Sequence, residues 1–88
     1  MYYIYTLKSD KDNNLYIGCT CNLLKRFKEH CSGKVKSTKY RLPVRMIYSE
    51  KYCNRYIAFQ KERYYKTSKG KKELKNKILI SAQSCGIV

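Results

Sequence analysis

With 88 residues, the chain is long enough for one domain and too short for two. Its 20 Lys and Arg against 6 Asp and Glu give a formal net charge of +14, which favours an anionic partner, nucleic acid first and a membrane surface second. No apolar run reaches the ~20 residues that a membrane-spanning helix needs. The start is not a signal peptide and the five cysteines are unevenly spaced, which predicts an intracellular protein of the cytoplasm or nucleus, not a secreted one.

The first part of the chain is typical of a β-hairpin. β-Branched and aromatic residues at 2–7 predict one strand, and the turn-forming cluster at 9–14 separates it from a second strand that begins at Leu15. Antiparallel pairing of the two strands would bring Tyr5 and Tyr16 onto neighbouring strands, where they can share a face.

A helix is predicted directly after the second strand. Asn22 can cap its start with a side-chain oxygen, and Gly33 suits the left-handed backbone that often ends a helix. Leu23, Phe27 and Cys31 recur every four residues, which predicts the face that packs against the core.

Another face of this helix carries Arg26 and His30, one turn apart. A guanidinium and an imidazole beside a tyrosine of the preceding strand can converge on a phosphate group. The alternative is an ordinary amphipathic helix whose polar side is solvated. The strand and helix alone favour that simpler interpretation.

A basic loop and a third strand follow the helix. Residues 33–42 contain no acidic residue, and their cations are candidates for contacts with phosphates. These cations are Lys34, Lys36, Lys39 and Arg41. Pro43 is tolerated at the start of a strand, and the alternating pattern at 44–49 predicts that strand.

Two more helices are predicted to complete the fold. Asn54 can cap the first of them, and the break at 68–70 separates it from a helix over residues 71–80. We expect residues 1–80 to form a single domain and residues 81–88 to form a loosely ordered tail.

Glu62 stands out on the helix predicted over residues 55–66, because it is one of only 6 acidic residues in the chain. In the simplest interpretation it pairs with Lys66 at the favourable four-residue spacing, a contact worth about 0.3–0.5 kcal/mol. Lys66 and Lys72 extend the basic surface and are further candidates for nucleic-acid binding.

Cysteines and a histidine near the first helix could suggest a zinc site. The pair Cys19-x-Cys21 is closer together than the cysteines of a zinc knuckle, and no second pair of ligands matches it. We therefore predict that Cys19, Cys21 and Cys31 are small core or turn residues with reduced thiols.

Five features in this order resemble the GIY-YIG endonuclease family. They are Tyr3-Ile4-Tyr5, Tyr16-Ile17-Gly18, Arg26, His30 and Ala58-x-x-x-Glu62. Each feature alone is weak, but their order and spacing together are specific and cover nearly the whole chain. The resemblance is closest to the small stand-alone branch, which has no appended DNA-binding domain. It implies an α+β fold, a three-stranded antiparallel sheet flanked by three helices, in agreement with the β-β-α-β-α-α order above.

The resemblance implies a role for each matched residue. Tyr5 and Tyr16 correspond to the two motif tyrosines, and Arg26 corresponds to the catalytic arginine. His30 stands at a position that is histidine or tyrosine in relatives, and Glu62 matches the metal-binding glutamate.

The chain departs from the family pattern at three positions. Tyr3 stands where the family name has glycine, and Cys19 stands where some members place a lysine near the substrate. Asn76 does not align with the asparagine that many members carry after the glutamate. These departures concern the geometry of the substrate more than the type of reaction.

The resemblance implies a metal-dependent DNA endonuclease that hydrolyses phosphodiester bonds, with a role in DNA repair or recombination. A lone carboxylate fits one Mg²⁺ or Mn²⁺ that keeps most of its waters, whereas a two-metal site needs several clustered carboxylates. Arg26 can hold the phosphate as charge develops, and either Tyr5 or Tyr16 can accept the proton of the attacking water. Because a free phenol has a pKa of about 10, that tyrosine needs a cation nearby.

The implied partner is DNA, without a membrane and without a small-molecule cofactor. The sequence leaves open whether the DNA is nicked, branched, flapped or ordinary duplex, and it leaves the oligomeric state open. A non-catalytic basic nucleic-acid-binding module of the same fold is the alternative. Such a module would lack a catalytic residue of the family, and no catalytic position is missing in this chain. A basic domain that binds acidic proteins would explain the charge and not the spacing of the motif residues.

Overall fold

The computed structural model describes the backbone of residues 1–86 and the side chains of residues 1–81. Its elements follow the predicted β-β-α-β-α-α order and form an α+β fold. They are β1 (Tyr2–Ser9), β2 (Leu15–Thr20), α1 (Leu23–Cys31), β3 (Val44–Tyr52), α2 (Arg55–Tyr65) and α3 (Ser68–Gly86).

The three strands form one antiparallel sheet in the order β2-β1-β3. β1 is therefore the central strand, paired on both sides. The register places Gly18 opposite Tyr5 and Tyr16 opposite Leu7. Since residues directly opposite each other share a face of the sheet, Tyr5 and Tyr16 lie on the same face, as predicted.

The two faces of the sheet pack against different helices. Leu23 and Phe27 of α1 cover the face that carries Tyr5, Leu7 and Val44. α2 and α3 cover the opposite face, where the buried residues are Ile4, Tyr65 and Leu74. The motif tyrosines thus face α1, and α2 lies on the other side of the sheet.

The predicted helix ends of α1 and α2 are confirmed. The side-chain oxygen of Asn22 accepts a hydrogen bond from the backbone N–H of Lys25 at 3.0 Å. Asn54 does the same for the backbone N–H of Tyr56 at 2.7 Å. Gly33, just past α1, has φ of +79°, the left-handed conformation expected of a glycine that ends a helix.

The prediction that Cys31 faces the core is wrong. Phe27 packs against the core, but Cys31 is exposed. Because an α-helix turns about 100° per residue, the next inward position is three residues after Phe27. That position is His30, which is 3% exposed. Cys21 is exposed and Cys19 is half-buried, so neither belongs to the core.

α3 is longer than the sequence predicts. It begins at Ser68 and continues to Gly86, where a helix over residues 71–80 was expected. The predicted tail over residues 81–88 is therefore helical as far as Gly86, and its last two residues lie outside the described part of the chain. Within residues 1–86 no helix combines the length and the apolar character needed to cross a membrane.

Gly70 lies inside the first turn of α3 and does not break the helix, contrary to the prediction. A Cβ atom at this position would lie 1.8 Å from the backbone oxygen of Tyr64. Only glycine therefore allows α3 to start directly against the end of α2. The side chain of Thr67 accepts a hydrogen bond from the backbone N–H of Gly70 at 3.0 Å and caps the new helix.

Glu50 on β3 joins the sheet to the helices on the α2 and α3 side. Its carboxylate accepts hydrogen bonds from the hydroxyls of Tyr52 at 2.6 Å, Tyr48 at 2.7 Å and Tyr65 at 2.8 Å. It also accepts one from Nζ of Lys77 at 3.2 Å. Burial alone would raise the pKa of Glu50, but these hydrogen bonds outweigh it and lower the pKa to about 2. Glu50 is therefore a charged anchor for both helices.

Candidate active site

The hydroxyl of Tyr5 is the point at which three of the predicted site residues meet. It lies 3.0 Å from Nε2 of His30 and accepts a hydrogen bond from Nε of Arg26 at 3.3 Å. Tyr5 comes from the central strand, and the other two residues lie one turn apart on α1. The sequence predicts that Arg26 and His30 lie beside the tyrosine of the preceding strand, Tyr16, but the tyrosine that they contact is Tyr5 of β1.

Gly18 provides the space for this hydroxyl. A Cβ atom built at Gly18 would lie 2.3 Å from the hydroxyl oxygen of Tyr5 and 2.4 Å from the ring carbon that bears it. Any side chain on this residue of β2 would therefore push Tyr5 away from Arg26 and His30. The glycine of the second motif is required by this close approach.

His30 is buried, and both nitrogens of its ring have a partner. Nε2 faces Tyr5, and Nδ1 lies 2.8 Å from Oγ1 of Thr38, which is fully buried in the loop after α1. Burial, followed by the charge of Arg26, lowers the pKa of His30 below its usual value of 6.5. The imidazole is therefore neutral at neutral pH.

The guanidinium of Arg26 is held from two sides while part of it remains exposed. Nε donates to Tyr5, and Nη1 donates to the carboxylate of Glu29 at 3.3 Å. The Arg26 side chain is 40% exposed. The hydrogen bond to Tyr5 is the main reason that the pKa of Arg26 is raised above its usual value. Nη2 has no partner among the described hydrogen bonds, so its N–H groups can bind an anion.

A groove of about 620 Å³ opens beside Arg26, where β2 ends between the first turns of α1 and α2. Three cations line it, Lys25, Arg26 and Arg55. Tyr2 and Phe59 supply aromatic surface, and the guanidinium of Arg55 lies 5.1 Å from the centre of the Phe59 ring. A positively charged groove with aromatic walls suits a phosphate backbone and its bases.

Tyr16 shares the face of Tyr5 but has different neighbours. Its hydroxyl donates to the carboxylate of Asp12 at 3.2 Å, in the turn of the hairpin. The backbone N–H of Asn14, followed by other hydrogen bonds and the charge of Arg41, lowers the pKa of Asp12. The two motif tyrosines therefore do not converge on one atom in this structure.

Glu62 lies on α2, one turn after the fully buried Ala58. Its carboxylate pairs with Nζ of Lys66 at 3.1 Å, which is the contact of the simplest interpretation of the sequence. Burial and the nearby charge of Glu62 raise the pKa of the Cys19 thiol, and Cys19 lines the groove beside Arg26. Glu62 therefore lies near the groove, although it has no hydrogen bond to Tyr5, Arg26 or His30 among the described contacts.

Glu62 is the one predicted site residue with a carboxylate that could hold a metal ion. Among the described residues, no three His, Cys, Asp or Glu side chains come together in a metal-binding cluster. The side chain of Glu62 is 21% exposed, so it is accessible in part from the solvent. Magnesium usually keeps several waters and takes one or two protein carboxylates plus substrate phosphates. A single carboxylate beside a groove that can receive a phosphate is compatible with this mode of magnesium coordination.

The cations predicted to bind nucleic acid lie on the surface, four in the loop after α1, one at the end of α2 and one on α3. Lys34, Lys36 and Lys39 are exposed in the loop after α1, and Lys72 is exposed on α3. Two more are engaged in ion pairs. Arg41 pairs with Asp12 at 3.0 Å, and Lys66 pairs with Glu62.

Sequence reasoning missed three residues around the site. Thr38 lies in a loop that the sequence predicts to be exposed and basic, and no local pattern indicates that its hydroxyl is buried against His30. Lys25 and Arg55 each lie in the first turn of a helix, and only the tertiary fold brings those two turns to one groove.

The chain is similar to a known domain family and to small bacterial proteins. A sequence profile described as the GIY-YIG catalytic domain matches residues 1–76. The UPF0213 protein YazA of Bacillus subtilis is 43% identical over 75 residues, which cover 83% of this chain and 75% of that protein. A UPF0213 protein of Clostridium perfringens is 41% identical over 85 residues, which cover 96% of this chain and 87% of that one.

One solved structure is similar as well. The solution NMR structure of the UPF0213 protein BH0048 from Bacillus halodurans matches with a TM-score of 0.55 and 30% sequence identity. The match covers 86% of this chain and 84% of that chain. Every residue of the candidate site lies within the segment that matches the domain profile.

Proposed function

Since the chain belongs to the GIY-YIG family, we propose that it is a divalent-metal-dependent endonuclease that hydrolyses phosphodiester bonds in DNA. The GIY-YIG domain is a nuclease domain, and nuclease activity implies a nucleic-acid substrate. The metal dependence, the roles of the individual residues and the form of the DNA are the proposal. The net charge of +14 supports a DNA substrate, because a polyanion relieves the repulsion among the 20 cations.

One observation carries this proposal more than any other. Arg26 is fixed by the buried hydroxyl of Tyr5 and still presents part of its guanidinium to a cationic groove. A guanidinium that is held in place before the substrate arrives can stabilise the charge that develops on a reacting phosphate. A surface arginine that only attracts DNA does not need a buried partner.

Each residue then has a part in the hydrolysis. Arg26 binds the non-bridging oxygens of the scissile phosphate and stabilises the charge that grows on them. One of the two tyrosines passes its hydroxyl proton to the acceptor beside it, Nε2 of His30 for Tyr5 or the Asp12 carboxylate for Tyr16, and then accepts the proton of the attacking water. Tyr5 also holds Arg26, whereas Tyr16 is bound to Asp12, so Tyr5→Phe removes a hydrogen bond from the arginine and Tyr16→Phe does not.

Glu62 is the residue that we propose to hold the metal ion. When bound there, Mg²⁺ or Mn²⁺ would neutralise charge on the phosphate and the leaving oxygen. The exposed cations of the loop after α1, of the end of α2 and of α3 bind the flanking phosphates and set the position of the DNA. They are Lys34, Lys36, Lys39, Arg41, Lys66 and Lys72.

The alternative is a basic nucleic-acid-binding module that has lost turnover. The ion pair between Glu62 and Lys66 is the observation in its favour, because it satisfies the carboxylate without a metal ion. Incubation of the purified protein with end-labelled linear, nicked, branched and flapped DNA, with Mg²⁺ or with EDTA, separates the two. The endonuclease cuts at least one of these substrates with Mg²⁺ and none with EDTA, and the binding module cuts none.

Glu62→Gln should abolish metal-dependent cleavage and leave DNA binding unchanged or slightly tighter, since it removes one negative charge from a basic surface. Lys66→Met is the matched control, because it breaks the same ion pair and keeps the carboxylate. Both variants should lose only a few tenths of a kcal/mol in stability. Single-turnover cleavage at saturating enzyme makes the comparison. A Gln variant that cuts at the parental rate would contradict the assignment of the metal site.

A further inference from the structure

A chain of three hydrogen bonds runs from the loop after α1 to the groove. It begins at Oγ1 of Thr38, passes through both nitrogens of His30 and the hydroxyl of Tyr5, and ends at Nε of Arg26, with distances of 2.8, 3.0 and 3.3 Å. Thr38 and Tyr5 come from distant parts of the sequence. Thr38 is fully buried, and Tyr5 and His30 are each 3% exposed, so water has little access to the two hydrogen bonds of the imidazole.

The donors of this chain can be arranged in one consistent direction. An arginine nitrogen can only donate, so the oxygen of Tyr5 accepts from Arg26. The hydroxyl proton of Tyr5 then needs an acceptor, and the unprotonated Nε2 of a neutral imidazole provides it. The ring proton must in that case sit on Nδ1, where it is donated to Oγ1 of Thr38. Thr38 is the one group that faces Nδ1 within hydrogen-bond distance among the described side chains.

The opposite tautomer would disturb the site. With its proton on Nε2, His30 would compete with Arg26 for the oxygen of Tyr5, and the hydroxyl proton of Tyr5 would lose its buried acceptor. We infer that Thr38 is a positioning residue of the proposed nuclease site, which holds His30 in the Nδ1–H tautomer and thereby fixes Tyr5 and the guanidinium of Arg26. This inference rests on the proposed function for its effect on cleavage, but not for its effect on the imidazole.

The backbone explains how a loop residue reaches this position. The N–H of Thr38 donates to the carbonyl oxygen of Val35 at 3.2 Å, and its carbonyl oxygen accepts from the N–H of Arg41 at 2.9 Å. These bonds form the turns of the loop and do not involve the side chain. A substitution that keeps the shape of threonine and removes only its hydroxyl should therefore keep the fold.

Thr38→Val is that substitution, and Thr38→Ser is the matched control, because serine keeps the hydroxyl and loses one methyl group. The chain contains one histidine, so the ¹⁵N spectrum of the imidazole needs no assignment among several rings. The parent and the serine variant should show a protonated Nδ1 and an unprotonated Nε2 at pH 7. The valine variant should shift toward the Nε2–H tautomer, and its Arg26 Nε–H proton should exchange faster with water.

Single-turnover cleavage then tests the consequence for the reaction. The valine variant should cut on the order of 10-fold more slowly than the parent, a size typical of groups that orient another site residue. The serine variant should recover most of the rate, and melting curves should show that both are folded. A valine variant with the parental tautomer and the parental exchange of Arg26 would overturn the inference, whether or not the parent cuts DNA. A parent that cuts nothing would overturn the proposed function alone.

Discussion

At the scale of single residues, geometry distinguishes Arg26 from the other cations of the chain. Its guanidinium contacts Tyr5 through Nε and Glu29 through Nη1, which fixes the plane of the group. Lysine has a single ammonium group on a flexible side chain, so it can match the charge of arginine but not the fixed, planar arrangement of its N–H donors. Arg26 is therefore the residue at which charge and geometry can be tested separately.

Arg26→Lys should lower the single-turnover cleavage rate by ~10²–10³-fold, equivalent to about 3–4 kcal/mol of barrier, with little change in DNA affinity. The physical reason is that stabilisation of a developing charge requires donors that are already in place. Arg55→Lys is the matched control, because Arg55 lines the same groove and has no contact with Tyr5 among the described hydrogen bonds. That variant should retain a rate much closer to the parental one.

Cleavage is measured with saturating enzyme, and affinity is measured separately without metal ions. A folded Arg26→Lys variant that binds DNA and cuts at the parental rate would show that Arg26 only attracts the substrate. In that case the guanidinium would be one cation among 20, and its contact with Tyr5 would be structural.

At the scale of secondary structure, Glu50 couples β3 to α2 and α3. Its side chain is 13% exposed, and its four donors come from three elements. The pKa of Glu50 is lowered to about 2 from its usual value of 4.5. A carboxyl group whose pKa is lower in the folded state stabilises the fold above the unfolded pKa, and this contribution disappears as pH falls through the folded pKa.

We expect a measurable loss of stability between about pH 5 and pH 2, on the order of 3 kcal/mol for this one group. Glu50→Gln should be less stable than the parent at pH 7 and should show a flatter dependence of stability on pH across that window. Asp10→Asn is the control, because it removes one carboxylate from an exposed pair with Arg45. Urea denaturation at several pH values provides the measurement, and parallel curves for the parent and Glu50→Gln would contradict this role.

Most of the secondary structure could be predicted because its signals are local. The turn formers at 9–14 and the caps at Asn22 and Asn54 each act within a few residues, and all three are confirmed. The start of α3 could not be predicted, since Gly70 is required by contact with the end of α2 and not by its own helix propensity. A glycine in a helix is ambiguous until its neighbour in space is known.

The site could be predicted only in part, for a similar reason. The helix period was sufficient to place Arg26 and His30 on one face of α1, but their contact with Tyr5 and not with Tyr16 depends on how α1 packs on the sheet. The buried position of Thr38 and the half-buried position of Glu50 depend on long-range packing of polar groups. Neither of them belongs to a periodic pattern, and a hydroxyl in a basic loop is ordinarily exposed.

At the scale of the whole molecule, charge dominates the expected behaviour toward DNA. The formal net charge is +14, and most of the cations are exposed. If about five phosphates are neutralised, a plot of log affinity against log salt concentration should have a slope of roughly −4 to −5. Fluorescence anisotropy with a labelled oligonucleotide between low and moderate salt measures this slope. A slope near zero would argue against nucleic acid as the partner.

The order of the strands gives the two motif tyrosines different freedom to move. β1 is hydrogen-bonded on both sides, so Tyr5 can be displaced only if the whole sheet opens. β2 is an edge strand with one partner, and Tyr16 and Gly18 can move outward when that single row of bonds opens. We therefore expect β2 to move locally when the site binds a bulky helical substrate. Arg26 and the buried residues that hold it, Tyr5 and His30, should stay in place.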